Sequence, residues 1–324
     1  MLLGATGTIG QAVARALVER GHDVVCFVRQ RSGVEGAWTP EAVSERLAGT
    51  IMRVGDVTDP SSLAQDGFCG ERFDALVSCM ASRTGVAKDA WRIDYQVHAD
   101  ALAVAKDAGV EHMILLSAIC VQKPKLEFQK AKLAFESLLM NSGLTYSIVR
   151  PTAFFKSLSG QIDRVKTGKP YLIFGDGELT ACKPISDGDL GRYIAECVED
   201  ESRYNRVLPI GGPGEAITPR QQGEFLFELL GQKPRFKKAP PGLLKVIAQV
   251  LSAGSRLYPP LASKAELARI GHYYATESML ALDPATGKYS AELTPSTGTQ
   301  TLFDFYEQLV RGDAVLERGD HAVF

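Results

Sequence analysis

Residues 2–10 read Leu2-Leu3-Gly4-Ala5-Thr6-Gly7-Thr8-Ile9-Gly10. Two apolar residues lead into a turn with three glycines. An amphipathic helix follows, with Ile9, Val13, Ala16 and Leu17 on one face. Glycine lets the backbone turn tightly and approach a pyrophosphate closely. The helix start behind the turn offers unpaired N–H groups and the positive end of the helix dipole to an anion. A glycine triplet alone is a weak signal. Its place between a strand and a helix, with a second strand at 23–29, makes it a dinucleotide-binding turn.

Apolar runs recur outward from this turn, at 24–28, 51–54, 75–80, 113–116 and 146–149, with helical patterns between them, clearest at 94–108 and 127–140. Continuous apolar strands separated by helices predict an α/β fold, a doubly wound parallel Rossmann sheet covered on both faces. Its ligands belong at the C-terminal strand ends. After Pro151 the alternation breaks down. Gly175-Asp176-Gly177 marks a turn, 207–210 a short strand, and Thr218-Pro219 with Gln221 a capped helix. The Pro- and Lys-rich stretch 234–260 holds an apolar helix at 243–251. A last helix covers about 300–310, and 312–324 reads as a loose tail. The expected division is an NADP-binding domain over 1–150 and a smaller C-terminal substrate lobe over 151–324, interleaved with the sheet.

The formal charge of −2 over 324 residues, without a contiguous basic run, argues against a nucleic-acid partner. No apolar stretch reaches the length of an integral membrane segment. The six cysteines form no CxxC pair and the five histidines no HExxH, so neither an iron–sulfur nor a structural zinc site is expected, and a reduced compartment fits. Only two strand residues precede Gly4, so the first strand reads as truncated, with a native start or leader upstream. The setting is then a bacterial cytoplasm, or a chloroplast if a transit peptide preceded the chain.

The end of strand two selects the cofactor. An NAD site places an acid there. Here the run is Val28-Arg29-Gln30-Arg31, with no acid before Glu35. Arg29 and Arg31 suit the 2′-phosphate of NADPH. In Gly55-Asp56-Val57, at the end of strand three, Asp56 either accepts from the adenine amino group or forms an Asx turn or helix cap. Ala81 and Ser82 after strand four, and Ser117 after strand five, are small residues where backbone and cofactor must approach.

Glu127-Phe128-Gln129-Lys130-Ala131-Lys132 opens the helix after strand five. With the Gly4–Gly10 turn, Asp56, Ser117 and Lys132, the chain resembles the short-chain dehydrogenase/reductase superfamily in its extended or atypical branch. That branch usually carries Tyr-x-x-x-Lys, with the tyrosine as general acid and the lysine on the ribose. Here Lys132 is kept and Phe128 stands at the tyrosine position, and phenylalanine has no proton to give. Longer blocks narrow the resemblance: 120–124, 126–132, 150–158, Phe174-Gly175-Asp176-Gly177 and 273–280 are similar to the divinyl (proto)chlorophyllide 8-vinyl reductases. The resemblance implies reduction of the 8-vinyl group of a magnesium tetrapyrrole to ethyl by NADPH, in chlorophyll or bacteriochlorophyll synthesis. Hydride goes to the terminal vinyl carbon and a proton to its neighbour, so no carbonyl oxygen needs protonation and orientation dominates.

On that implication Pro151, Thr152 and Ala153 join the cofactor contacts. Phe154, Phe155, Leu158, Tyr273 and Tyr274 are candidate walls for the flat pigment, with core packing as the alternative. Lys156 pairs with a propionate or is solvated, and His272 is a remote candidate axial ligand to magnesium. The proton comes from water, Lys132 or Cys120. The competing class is a non-catalytic NADP(H)-binding regulator or assembly factor of the same fold, against which the substrate-lobe blocks speak.

Overall fold

The computed structural model describes residues 1–30, 38–258 and 260–314. Seven parallel strands form its main sheet in the order β3-β2-β1-β4-β5-β6-β8. They are β1 (Leu2–Leu3), β2 (Val25–Val28), β3 (Ile51–Val54), β4 (Ala75–Ser78), β5 (His112–Leu116), β6 (Thr145–Pro151) and β8 (Arg206–Ile210). β7 (Tyr171–Phe174) and β9 (Phe236–Ala239) form a separate parallel pair. The chain winds outward from β1 to β3, then crosses back to β4 and winds the other way. The switch point therefore lies between β1 and β4, beside the glycine turn.

Alternation sorts the strand residues onto two faces. Leu2, Cys26, Val77 and Ile114 pack in one core, and Leu3, Phe27, Leu76 and Met113 in the other. β3 reads as a buried run but is an edge strand, with Ile51 and Val54 more than half exposed.

The helices used below are α1 (Thr8–Glu19), α2 (His98–Asp107), α3 (Glu127–Met140), α4 (Asp187–Glu196), α5 (Pro219–Leu229), α6 (Leu243–Gly254), α7 (Leu261–Thr276) and α8 (Leu302–Arg311). The second half of the chain returns to the sheet: β8 pairs with β6, and α4 packs along α1 so closely that a side chain on Gly191 would lie 2.7 Å from the Ala12 backbone. A further core of Phe155, Tyr171, Ile173, Phe227 and Tyr306 joins α5, α8 and β7. α5 starts as the sequence predicts, with the Thr218 hydroxyl accepting from the Gln221 N–H and the Gln221 side chain accepting from the Thr218 N–H. α7 carries no single apolar period in the sequence. Its buried residues (Ala265, Glu266, Ala268, Ile270, Gly271, Tyr273 and Ala275) lie on more than one side, which erases a single apolar stripe. Arg31, and the expected tail from 315 onward, lie outside the described residues.

Candidate active site

The glycine turn is built for a close visitor. Gly4 has φ +76°, and a Cβ there would meet the Cys79 carbonyl carbon at 2.7 Å. A Cβ on Gly10 would lie 2.1 Å from the Gly4 oxygen. Gly7 is the N-cap of α1, no side chain caps the helix, and its first turn holds no acid. The helix start thus keeps its N–H groups and dipole for an anion, which fits the diphosphate of a dinucleotide. Ala5 and Ile9 point into the core. Lys156 donates to the Thr8 hydroxyl at 3.0 Å, so its ammonium sits on this turn and not among the apolar walls. Lys156 is therefore neither free in solvent nor set among the apolar side chains. Its charge also opposes the burial that pushes the neighbouring Asp187 carboxyl up to about 6.

At the ends of β2 and β3, Asp56 forms an Asx turn. Its Oδ1 accepts from the Thr58 N–H at 2.9 Å and from the Thr58 hydroxyl at 2.7 Å. Those bonds, with the charges of Arg92 and Arg29 adding to them, hold the carboxyl below its usual range. Arg29 and Arg92 therefore share one neighbourhood, and sequence reasoning missed Arg92. Val57 packs against the sheet core.

The centre of the site was also missed. Asp94, 1 % exposed, lies in a π-helical turn (Trp91–Val97) that runs into α2. It receives Lys132 of α3 at 2.9 Å and the Ser82 N–H at 3.2 Å on the same oxygen. Burial works against its charge, but the Lys132 ammonium and the Ser82 contact outweigh it, and the carboxyl stays low. The other oxygen, Asp94 Oδ2, is buried without a hydrogen-bond partner. A carboxylate on the same stripe as the buried Val97 and Ala101 was the available signal. His98, one turn on, is pushed down to about 4 by burial and spends its ring nitrogens on Ser78 and the Ile93 carbonyl, so it is neutral and is no proton source.

Phe128 lies one helical turn before Lys132. It packs into a cluster with Cys120, Leu126, Ile270, Tyr273, Ala153 and Leu158. Gly85, in the loop after Ala81 and Ser82, reaches over this cluster, its ideal Cβ 3.0 Å from Ile270 and 3.6 Å from Phe128. Tyr273 donates to the Cys120 carbonyl at 2.9 Å, and the Tyr274 hydroxyl to the Cys120 sulfur at 3.9 Å. Burial pushes the Cys120 thiol up, so it keeps its proton.

The candidate walls divide. Leu158 and Tyr273 belong to the Cys120 cluster, and Tyr274 is 39 % exposed beside it. Phe154 packs on the sheet core. Phe155 is 3 % exposed and lies 5.5 Å from the Phe305 ring, which makes it core and not wall. His272 turns toward Pro241, its Nδ1 3.2 Å from that carbonyl, and faces α6 rather than Lys132. The Ser117 hydroxyl donates to Glu136, which also holds Arg150, and Thr152 donates to the Lys183 carbonyl. These two side chains therefore brace the strand ends with their O–H donors, and their hydroxyl oxygens keep acceptor lone pairs. Among the described residues no group of three or more His, Cys, Asp or Glu is placed to hold a metal ion.

A family model described as NAD(P)H-binding matches residues 4–201. The chain is 50 % identical, over 331 residues, to the chloroplastic divinyl chlorophyllide a 8-vinyl-reductase of Cucumis sativus, covering 100 % of this chain and 79 % of that one. It is 22 % identical over 246 residues to the Photosystem II assembly factor Ycf39 of Synechocystis, covering 76 % and 72 %. The solved binary complex of leucoanthocyanidin reductase with NADPH from Vitis vinifera shares the fold, with a TM-score of 0.68 at 15 % identity over 96 % of this chain and 98 % of that one.

Proposed function

We propose a division of labour among these residues from one premise: the chain belongs to the divinyl chlorophyllide a 8-vinyl-reductase family, within the NAD(P)H-binding family that its residues 4–201 match. It is an oxidoreductase that reduces the 8-vinyl group of a divinyl magnesium tetrapyrrole to ethyl at the expense of NADPH, in the pigment synthesis of a photosynthetic cell. The observation that carries the chemistry is the pairing of an apolar Phe128 with a lysine, Lys132, clamped one turn away by buried Asp94.

When bound, NADPH supplies the hydride. The Gly4–Gly10 turn and Lys156 bind the diphosphate, and Arg29 with Arg92 the 2′-phosphate. Lys132 spends one of its three N–H donors on Asp94 and offers the others to the ribose. Phe128, Leu158 and Tyr274 give the macrocycle an apolar face and keep water away, with buried Tyr273 packed behind them. Lys132 and Tyr274 carry protons beside this cluster and Cys120 holds one within it, so protonation of the second vinyl carbon needs no tyrosine at 128.

The test is direct: protein, NADPH and divinyl chlorophyllide are mixed, and the Soret band is followed. The expected result is a blue shift as the vinyl conjugation is lost. NADPH binding without any shift supports the other reading, a non-catalytic NADP(H)-binding regulator or assembly factor of the same fold. Phe128→Tyr is expected to leave kcat unimproved. A large gain would show that an acid at this position matters. Lys156→Ala is expected to cost roughly 1.5–3 kcal/mol of NADPH affinity, about 10- to 150-fold, through loss of one charged contact. The KM for the pigment should hardly move, and a rise in that KM alone would return Lys156 to the propionate.

A further inference from the structure

We infer that the outer face of α6, with the turn that follows it, rests on the surface of an anionic lipid bilayer. Within α6, Leu243, Val246, Ile247 and Val250 are 44, 55, 38 and 66 % exposed, and their i, i+3, i+4, i+7 spacing sets them in one stripe. Only Ala248 in this helix is buried. The stripe continues into Leu257, 93 % exposed, and Tyr258, 61 % exposed. A soluble surface seldom gathers so many large apolar side chains in one place.

The charge around the stripe identifies the occupant. Residues 233–272 contain eight Lys and Arg and one acid, Glu266, in a chain whose net charge is −2. Arg269 pairs with Glu266 at 2.6 Å, while Lys237, Lys238, Lys245, Arg256 and Lys264 are exposed. Behind the stripe, between α6 and α7, a cleft of about 600 Å³ adds Lys245, Arg256 and Arg269 to this basic surface and reaches Leu126 and Tyr273 of the Cys120 cluster. An apolar helical stripe in a segment rich in exposed cations and poor in acids, with a tyrosine beyond its end, is the chemistry of a helix lying in the headgroup layer. No helix among the described residues is long and apolar enough to cross a membrane, so the contact is parallel to the surface.

The experiment is co-sedimentation of the full chain with phosphatidylcholine vesicles, with and without phosphatidylglycerol. The protein is expected to pellet with the anionic vesicles, to remain in solution with the neutral ones, and to be partly released by salt. The double variant Val246→Asp, Val250→Asp is expected to lose at least roughly tenfold in partitioning, because charge replaces buried apolar area. Its NADPH binding should be unchanged, which shows that it is folded. Equal pelleting of variant and wild type overturns the inference. So does a wild-type protein that ignores anionic vesicles, including one that forms a dimer in solution which the variant breaks, since the stripe then belongs to a second copy of the chain.

Discussion

Lys132→Met is expected to abolish vinyl reduction, by roughly a hundredfold or more in kcat/KM, and to destabilise the protein by about 3–5 kcal/mol. The two effects have separate causes. Turnover falls because the ammonium that orients the ribose is gone. Stability falls because Asp94, 1 % exposed, keeps a charge that only Lys132 neutralises, with one oxygen already lacking a partner. The acid dependence should change sign between the two proteins. In the wild type the Asp94 carboxyl is held below its unfolded value, near ~3.9, so its contribution is present at neutral pH and is lost as pH falls through the folded pKa. In the variant the main opponent of burial is gone and chiefly the Ser82 N–H contact remains, so the pKa rises, and acidification lets Asp94 take a proton and relieves the strain. Urea unfolding of both proteins at neutral and mildly acidic pH reads this: the gap between them should narrow as pH falls. The double variant Lys132→Met, Asp94→Leu should recover most of the stability and none of the activity. Wild-type kinetics in Lys132→Met would remove the lysine from the site.

Asp94 also marks where the sequence stops being readable. The glycine turn, the parallel sheet and the capped start of α5 all rest on local rules: period, turn chemistry and cap spacing. Those rules place Gly4 and Thr218 without knowledge of anything distant, while Phe128 is singled out by resemblance to Tyr-x-x-x-Lys. The Asp94–Lys132 pair joins residues far apart in the chain through a π-helical turn that re-aims the carboxylate, and no periodicity encodes that. The block Phe154-Phe155-Lys156 shows the same limit on a smaller scale. Three adjacent residues serve three surroundings: Phe154 the sheet core, Phe155 the core that joins α5, α8 and β7, Lys156 the glycine turn. Resemblance selects the block, but only packing assigns its members. β3 failed differently: its four apolar-rich residues match a buried strand, and the winding order then left it at the edge.

Gly10→Ala is the second large effect expected, and it should act through the backbone alone. The added Cβ would lie 2.1 Å from the Gly4 oxygen, 2.8 Å from the Gly4 carbonyl carbon and 2.9 Å from the Ala5 Cα. None of these atoms belongs to a side chain that can swing away, so the turn must move. Gly4 cannot yield easily, since it sits at φ +76° against the Cys79–Met80 backbone at the head of the neighbouring strand. Overpacking of this kind costs about 1–3 kcal/mol or more. The displacement also carries the first N–H groups of α1 away from where the diphosphate would bind, so NADPH affinity should fall by roughly a hundredfold, the order that a 1 Å misplacement costs in catalysis. Gly7→Ala is the control. Its Cβ would meet only the Gly4 oxygen, at 3.4 Å, an ordinary contact, and φ is already −74°. Gly7→Ala should therefore melt near the wild-type temperature and lose NADPH affinity only as far as its methyl group crowds the bound cofactor. Calorimetric titration with NADPH and thermal melting of the two variants together separate the roles: if Gly10→Ala kept both the wild-type melting temperature and the wild-type affinity, the turn could not be holding its helix and its anion through the same few backbone atoms.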